Sequence, residues 1–538
     1  MSIKLPTRRL VSQDDAAMIE RSDVPRSRFQ GSWTRKAAYN AGILYPFLVD
    51  EILPGDHMRY DVSAYLRMST LLYPLMDNQR VDTHFFFVPM RLLWSNWKKF
   101  MGEQATPASS IDYTIPTFEA GTTVASIFDH MGLPVANQLT NPLEVNVLPF
   151  RAYNKIWNDW FRDENIQDSA PENMGDGGDS ANDYTLKRRD KSHDYFTSAL
   201  PWPQKFTAPT VPIGGLAPVL GIGVSTQNAG PAAGPIGVYD AEGINSYTYY
   251  KRMWNPDPDA DDEVFVQMDA ATGALPQIYA DLSQATGVAI NTLRQAWLVQ
   301  SLLERDARGG TRYVELIRSH FGVISPDFRL QRPEYIGGGQ TPLSITPIAQ
   351  TAPTEDAPLG ALGAAGTAAG GHHASYAATE HGYILGLISI KSELSYQQGL
   401  HRMWTRQTRE DFPFPALMGL GEQAILRKEI YATGVDANDD LVFGYQERWH
   451  EFRTRYSEVV GILRSTAVGT LDMWHLAQNF TAPPTLSDSF ISDSPPMTRV
   501  LAAGTEANGQ QYIADIEIRR NAVRPISMFG TPAALGRF

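Results

Sequence analysis

Cysteine is absent from the 538 residues. That excludes a disulfide framework, a thiolate metal site, an iron–sulfur cluster and a cysteine nucleophile. No apolar run approaches the ~20 residues that a membrane-spanning helix needs. The opening MSIKLPTRRLVSQDD has no apolar core followed by a small-residue cleavage site, so a soluble product made in the cytoplasm, with no membrane partner, is expected. Positive charge is also scarce. Lys and Arg number 46 against 59 Asp and Glu, a net −13, which argues against a free, general nucleic-acid binder. Enzyme signatures are missing as well: there is no GxxxxGKS/T phosphate loop, no GxSxG elbow and no HExxH helix.

What remains is globular material. Hydrophobic residues make up 43% and charged residues 20%, which rules out wholesale disorder. The length corresponds to roughly three or four domains, or to one large domain with insertions. The 43 Gly and 36 Pro point to many turns and long loops, and the 11% aromatics suit strands and interfaces. Charge is unevenly spread. Residues 1–36 carry eight Lys and Arg against four acids, whereas 163–194 carry nine acids against four bases and 240–269 eight acids against two. Basic ends and acidic loops suggest two faces with different partners.

Residues 1–35 lack periodicity and read as an extended basic arm. Strand signals follow at 58–68, which alternates, at Val81–Val88, which is aromatic and stopped by Pro89, at 383–394, and at 512–519. Helical spacing is confined to 288–304, continuing into 313–321, and to short stretches at 92–101 and 154–161. Strands this far apart in sequence pair non-locally if they share a sheet, with long insertions between them. The largest insertion is 205–287, rich in Gly, Pro, Ala and Asp. A Gly/Ala-rich stretch, 336–373, reads as a second loop.

Local motifs carry little chemistry. Gly419-Leu-Gly-Glu-Gln-Ala424 matches GxGxxA, but Phe412-Pro-Phe-Pro415 is a poor strand to precede a dinucleotide site. Asp257, Asp259, Asp261 and Asp262 open like a calcium loop that lacks its Gly and its closing Glu, so a solvated acidic loop is the default. His372, His373 and His381 lie close in sequence, without the rigid frame a metal site needs. Arg402, Arg406 and Arg409 near Trp404 fit either base stacking with phosphate contacts or internal Arg–aromatic packing. Lys4, Arg8, Arg9, Arg26 and Arg28 at one end, with Arg519, Arg520 and Arg524 at the other, are DNA-facing candidates on charge alone.

Several longer words resemble one family. Glu20-Arg-Ser-Asp-Val-Pro-Arg-Ser-Arg-Phe29, Leu53-Pro-Gly-Asp56, Met76-Asp-Asn78 and Asp82-Thr-His-Phe-Phe-Phe-Val-Pro89 occur in order. Ser198-Ala-Leu-Pro-Trp-Pro-Gln204, Leu303-Glu-Arg-Asp-Ala-Arg-Gly-Gly-Thr-Arg-Tyr313, Ile317-Arg-Ser-His-Phe-Gly322, Tyr396-Gln-Gln-Gly399, Gly421-Glu-Gln423 and Phe529-Gly-Thr-Pro532 follow. From about residue 20 to the C-terminus this is similar to the major capsid proteins of the Microviridae, most closely their gokushovirus branch. The resemblance implies a mainly β fold. An eight-stranded antiparallel jelly roll with long, partly helical insertions would fill 36–538 and assemble as a homo-oligomeric T=1 icosahedral shell around circular single-stranded DNA. It further implies a small basic internal DNA-packing protein, a scaffolding protein and a host surface receptor as partners, and assembly in the bacterial host cytoplasm into a virion. It needs no cofactor and no catalytic residue. By position, 205–287 would be the threefold protrusion, its Asp257–Asp262 run facing outward for host attachment. A carbohydrate-binding or carbohydrate-active β-sandwich and a monomeric single-strand DNA-binding protein are the alternatives from other classes.

Overall fold

In His57–Met68 every second residue is apolar: Met58, Tyr60, Val62, Ala64, Leu66 and Met68 are buried, and the intervening side chains mostly face solvent. A pleated strand with one wet face produces this pattern. The computed structural model describes residues 25–206 and 331–529 apart from 107, 136–137, 140, 353–357, 418, 420 and 503–510, together with short pieces between 216 and 326.

The main sheet contains β1 (Ser27–Tyr39), β2 (Tyr45–Ile52), β3 (His57–Met68), β4 (Gln79–Pro89), β5 (Glu334–Pro342), β6 (Ser344–Ala349), β7 (Leu362–Ala377), β8 (Gly382–Ser392) and β9 (Tyr512–Arg524). Eight strands follow the order β1-β9-β3-β7-β5-β4-β8-β2, with β6 paired to β7. Every pairing is antiparallel. This is the expected jelly roll: two four-stranded halves, β1-β9-β3-β7 and β5-β4-β8-β2, joined through the Gly337–Ala374 pair of β5 and β7. The four strands expected from sequence periodicity are β3, β4, β8 and β9.

The two halves differ in how their outer faces are treated. β8 is buried along its whole length. Its inner side chains Ile384, Ile388 and Ile390 join Val81, Phe85 and Phe87 of β4 in the barrel core. Its outer side chains Tyr383, Leu385 and Leu387, with Phe86 and Val88 of β4, join a second core under Trp94, Trp97 and helix α1 (Leu148–Ile156). That explains the continuous Phe85-Phe-Phe-Val88 run: each of these side chains has a dry face to occupy, worth about 1.5–3 kcal/mol apiece. Among the described residues, the β1-β9-β3-β7 half has no such cover over its outer face.

The eight-strand path ends at β1 and β2, and side chains link these ends. Arg35 of β1 donates to Phe47 O at 3.1 Å. From β9, Arg520 pairs with Asp50 at 2.9 Å, and Arg524 reaches Glu51 O at 2.9 Å and Asp56 at 3.5 Å. Tyr60 also donates to Asp50, at 2.6 Å.

Two boundaries differ from the sequence reading. The arm expected over 1–35 gives way to strand at Ser27, because 27–39 has β9 to pair with over its full length. The stretch 336–373, expected as a loop, is mostly β5, β6 and β7. Its small residues suit close packing: a Cβ on Gly370 would collide with Thr341, and one on Gly366 would press on Met68 at 2.9 Å. A Gly/Ala composition that reads as loop is here what close strand packing requires, namely thin side chains.

Residues 204–308 form a separate unit inserted between β4 and β5. It contains all but the last residue of helix α2 (Ile290–Gly309), close to the expected 288–304. The helical stretch at 154–161 continues α1 as one wide turn, and 92–101 holds only a one-turn helix, Trp97–Phe100. Most of 313–321 lies outside the described residues.

Candidate nucleic-acid interface

The open outer face of β1-β9-β3-β7 follows from strand register. Residues directly opposite in an antiparallel pair point to the same face. Gln30 lies opposite Asn521, Asn521 opposite Arg59, and Arg59 opposite Ser375. The next rows are Ser32–Arg519–Asp61–His373, Thr34–Glu517–Ser63–Gly371 and Lys36–Asp515–Tyr65–Ala369. These rows make a low, polar platform, with Ser375, Gly371 and Ala369 small along the β7 side and His373 the exception. A shallow depression of about 420 Å³ opens in it, lined by Gln30, Gly31, Ser32, Asp61, Arg519, Arg520 and Asn521.

The platform carries Arg28, Lys36, Arg59, Arg67 and Arg519 against Asp61, Asp515 and Glu517. Three exposed ion pairs tie part of this charge down: Arg59–Asp61 at 3.1 Å, Arg519–Glu517 at 2.9 Å and Lys36–Asp515 at 3.6 Å. The Arg519 hydrogen bond holds the Glu517 carboxyl below its ordinary range, and Glu517 in turn raises Arg519. Such solvated pairs exchange partners at little cost. Arg28 hydrogen-bonds Asn521 at 2.7 Å, and Arg67 stacks over Tyr65 at 4.9 Å. An exposed tyrosine beside guanidinium groups on a flat sheet can stack a base while the cations hold phosphate oxygens.

The structure divides the sequence-derived candidates. Arg28 and Arg519 lie on the platform, and Arg26 lies beside its edge, against the Gly55 turn. The guanidinium groups of Arg520 and Arg524 turn to the opposite face, where they bind Asp50 and Asp56 and tie β9 to the β2 side. Arg520 also stacks over Trp33 at 5.5 Å. Lys4, Arg8, Arg9, Asp257, Asp259, Asp261 and Asp262 lie outside the described residues. Arg59, Tyr65 and Arg67 do not stand out in the sequence as a basic cluster. The alternation of 58–68 contained the signal, because it sets all three on the wet side of β3.

The remaining motifs have structural roles. His372 is buried between Thr83 Oγ1 at 2.6 Å and Thr341 Oγ1 at 2.9 Å, and burial lowers its pKa. His373 is exposed on the other face of β7, and His381 packs against the Trp97 ring at 5.6 Å. The fold therefore separates the three histidines. Gly419–Ala424 runs into a strand, Glu422–Leu426, rather than a helix. Arg402 is ion-paired with Glu429 at 2.9 Å and Arg406 with Glu451 at 2.7 Å, which is the internal packing reading for both.

Comparison with known proteins covers nearly the whole chain. Residues 17–534 match the family described as capsid protein (F protein). The chain is 45% identical to the capsid protein VP1 of Bdellovibrio phage phiMH2K, over 98% of this chain and 99% of that protein. It is 36% identical to the capsid protein VP1 of Chlamydia phage 1, over 98% of each. Identity to the capsid protein VP1 of Spiroplasma virus 4 is 34%, over 96% of this chain and 97% of that one.

Proposed function

The chain belongs to the capsid protein (F protein) family, and on that premise we propose that it closes into a T=1 icosahedral shell around a circular single-stranded DNA genome. It is a structural protein of the virion and not an enzyme, as its full-length relatives are. The agreement over 17–534 with a jelly-roll core carries this reading. Heterologous contacts repeated around closed symmetry axes make a shell from modest individual interfaces.

The DNA-facing surface in this reading is the platform of β1-β9-β3-β7, with Arg28 and Arg519 joined by Arg59, Arg67 and Tyr65. The support is its uncovered outer face, its small side chains and its surplus of cations within a chain of net −13. The basic residues Lys4, Arg8, Arg9 and Arg26 precede β1 and would extend the same surface along phosphates. A small basic internal protein supplies the rest of the charge balance, and a scaffolding protein guides closure. The segment 205–287, with Asp257, Asp259, Asp261 and Asp262, is the exposed spike for a host receptor. Its place in a separate unit between two barrel strands supports this.

The test is to express the chain with its companion proteins, with and without a circular single-stranded genome, and to image and sediment the products. Uniform shells of sixty subunits are expected. A stable monomer under all these conditions would sink the reading and direct attention to glycan and single-strand DNA binding.

A further inference from the structure

Exposed apolar side chains are concentrated in one part of the barrel unit. Of the 36 large hydrophobic residues exposed among the described residues, 13 fall between 400 and 471. Trp404 is 70% exposed, Phe412 52%, Phe452 57% and Val468 fully so. Isolated exposed hydrophobics need no explanation, but this density marks an interaction surface.

The segment rests on a firm base. Its strands Glu422–Leu426 and Val442–Glu447 pair antiparallel over a core of Phe196, Tyr396, Phe443 and Phe490. Arg406, held by Glu451, lies over the rings of Phe452 at 4.5 Å and Phe412 at 5.8 Å, and Arg409 lies over Phe414 at 5.3 Å. Aromatic rings already held in place lose little freedom on binding. Trp, Phe, Met and Arg are also the residue types enriched at interface centres.

Charge selects the occupant. Residues 400–471 hold nine Lys and Arg against ten Asp and Glu, and with Glu429 and Asp439 buried the exposed charges stay close to balance. A polyanion needs a surplus of cations that this surface lacks. Another copy of this chain, itself at −13, is repelled by acidic surface and tolerates a neutral, apolar one. We infer that the 400–471 surface is a contact between copies of this chain, with Trp404 and Phe412 as its anchors. This inference rests on the shell reading, and it specifies which surface the shell uses.

The lack of native cysteine allows a direct test. A Met403→Cys variant places one thiol beside Trp404, and its maleimide labelling is timed in free subunits, empty shells and DNA-filled particles. At least tenfold slower labelling in both kinds of particle is expected. A Trp404→Glu/Phe412→Glu double variant is expected to yield folded subunits, with an unchanged thermal midpoint, and at least tenfold fewer particles. Closed shells with unchanged labelling overturn the contact and leave the shell reading standing. Protection only in DNA-filled particles makes DNA the occupant and also overturns it. Particles of another subunit number overturn T=1 alone, while protection at 403 still upholds the contact. A chain that stays monomeric with its companions overturns both. If the double variant misfolds, the labelling result decides.

Discussion

Arg519 and Arg520 are neighbours in sequence, yet β9 sends them to opposite faces, and exchanging their roles in experiment is a stringent test of the register. Arg520 holds Asp50 at 2.9 Å, with its side chain 30% exposed and that of Asp50 14%. At an effective dielectric constant near 20, a pair at this distance has a Coulomb energy of roughly 6 kcal/mol. Desolvation and the partial exposure of the arginine reduce the net effect of removal to about 2 kcal/mol. Arg520→Met keeps an unbranched apolar side chain in place and removes the guanidinium, with its ion pair to Asp50 and its stacking over Trp33. It is expected to lower the urea midpoint of unassembled subunits without changing the slope, and to leave DNA binding unaltered. Arg519→Ala is expected to do the reverse. The midpoint stays in place, and the salt dependence of single-strand DNA binding weakens by about 0.7 in log–log slope, the signature of one lost phosphate contact. Equal midpoints for wild type and Arg520→Met would refute the ion-pair account of the link between β9 and β2. An unchanged salt slope for Arg519→Ala would refute the DNA-facing assignment of the platform.

Three further outcomes are expected. His372→Ala strands the hydroxyls of Thr83 and Thr341 and leaves a cavity, so it should cost about 2–3 kcal/mol in denaturant unfolding, while His373→Ala on the wet face should leave stability unchanged. Asp190 is pushed up to about 7 by burial and by the nearby carboxylates of Asp163 and Asp488. The folded chain therefore holds a proton that the unfolded chain releases, and this site's contribution to stability is lost as pH rises from about 4 through about 7. Asp190→Asn should accordingly stabilise subunits by about 1–2 kcal/mol at pH 8, a gain that disappears below pH ~4 in a pH-dependent melting series. Deleting 215–280 should leave shell assembly largely intact in sedimentation; loss of all particles would mean that this segment holds the threefold contacts.

The sequence by itself determined more of the fold than of the site. Alternation in 58–68 and 512–519 marked half-buried strands, and the aromatic run at 81–88 marked a further strand, although its cover on both sides came only with the fold. Side-chain period is a local property that the chain carries without its partners. The long, specific words between 303 and 322 indicated the family, because such strings are not required by any strand or helix as such. Two matters were left to the tertiary structure. The Gly/Ala stretch at 336–373 read as loop because glycine has no local preference for strand; it became β5, β6 and β7 because Thr341 and Met68 approach where a Cβ would not fit. The arginines near the C-terminus formed a single basic cluster as text. Only the pairing of β9 with β1 and β3 sent Arg519 to the wet face, and only the approach of β2 gave Arg520 and Arg524 the carboxylates of Asp50 and Asp56. Charge can be counted along a chain, but the partner that neutralises it is set by contacts hundreds of residues away, and those exist only once the barrel is folded.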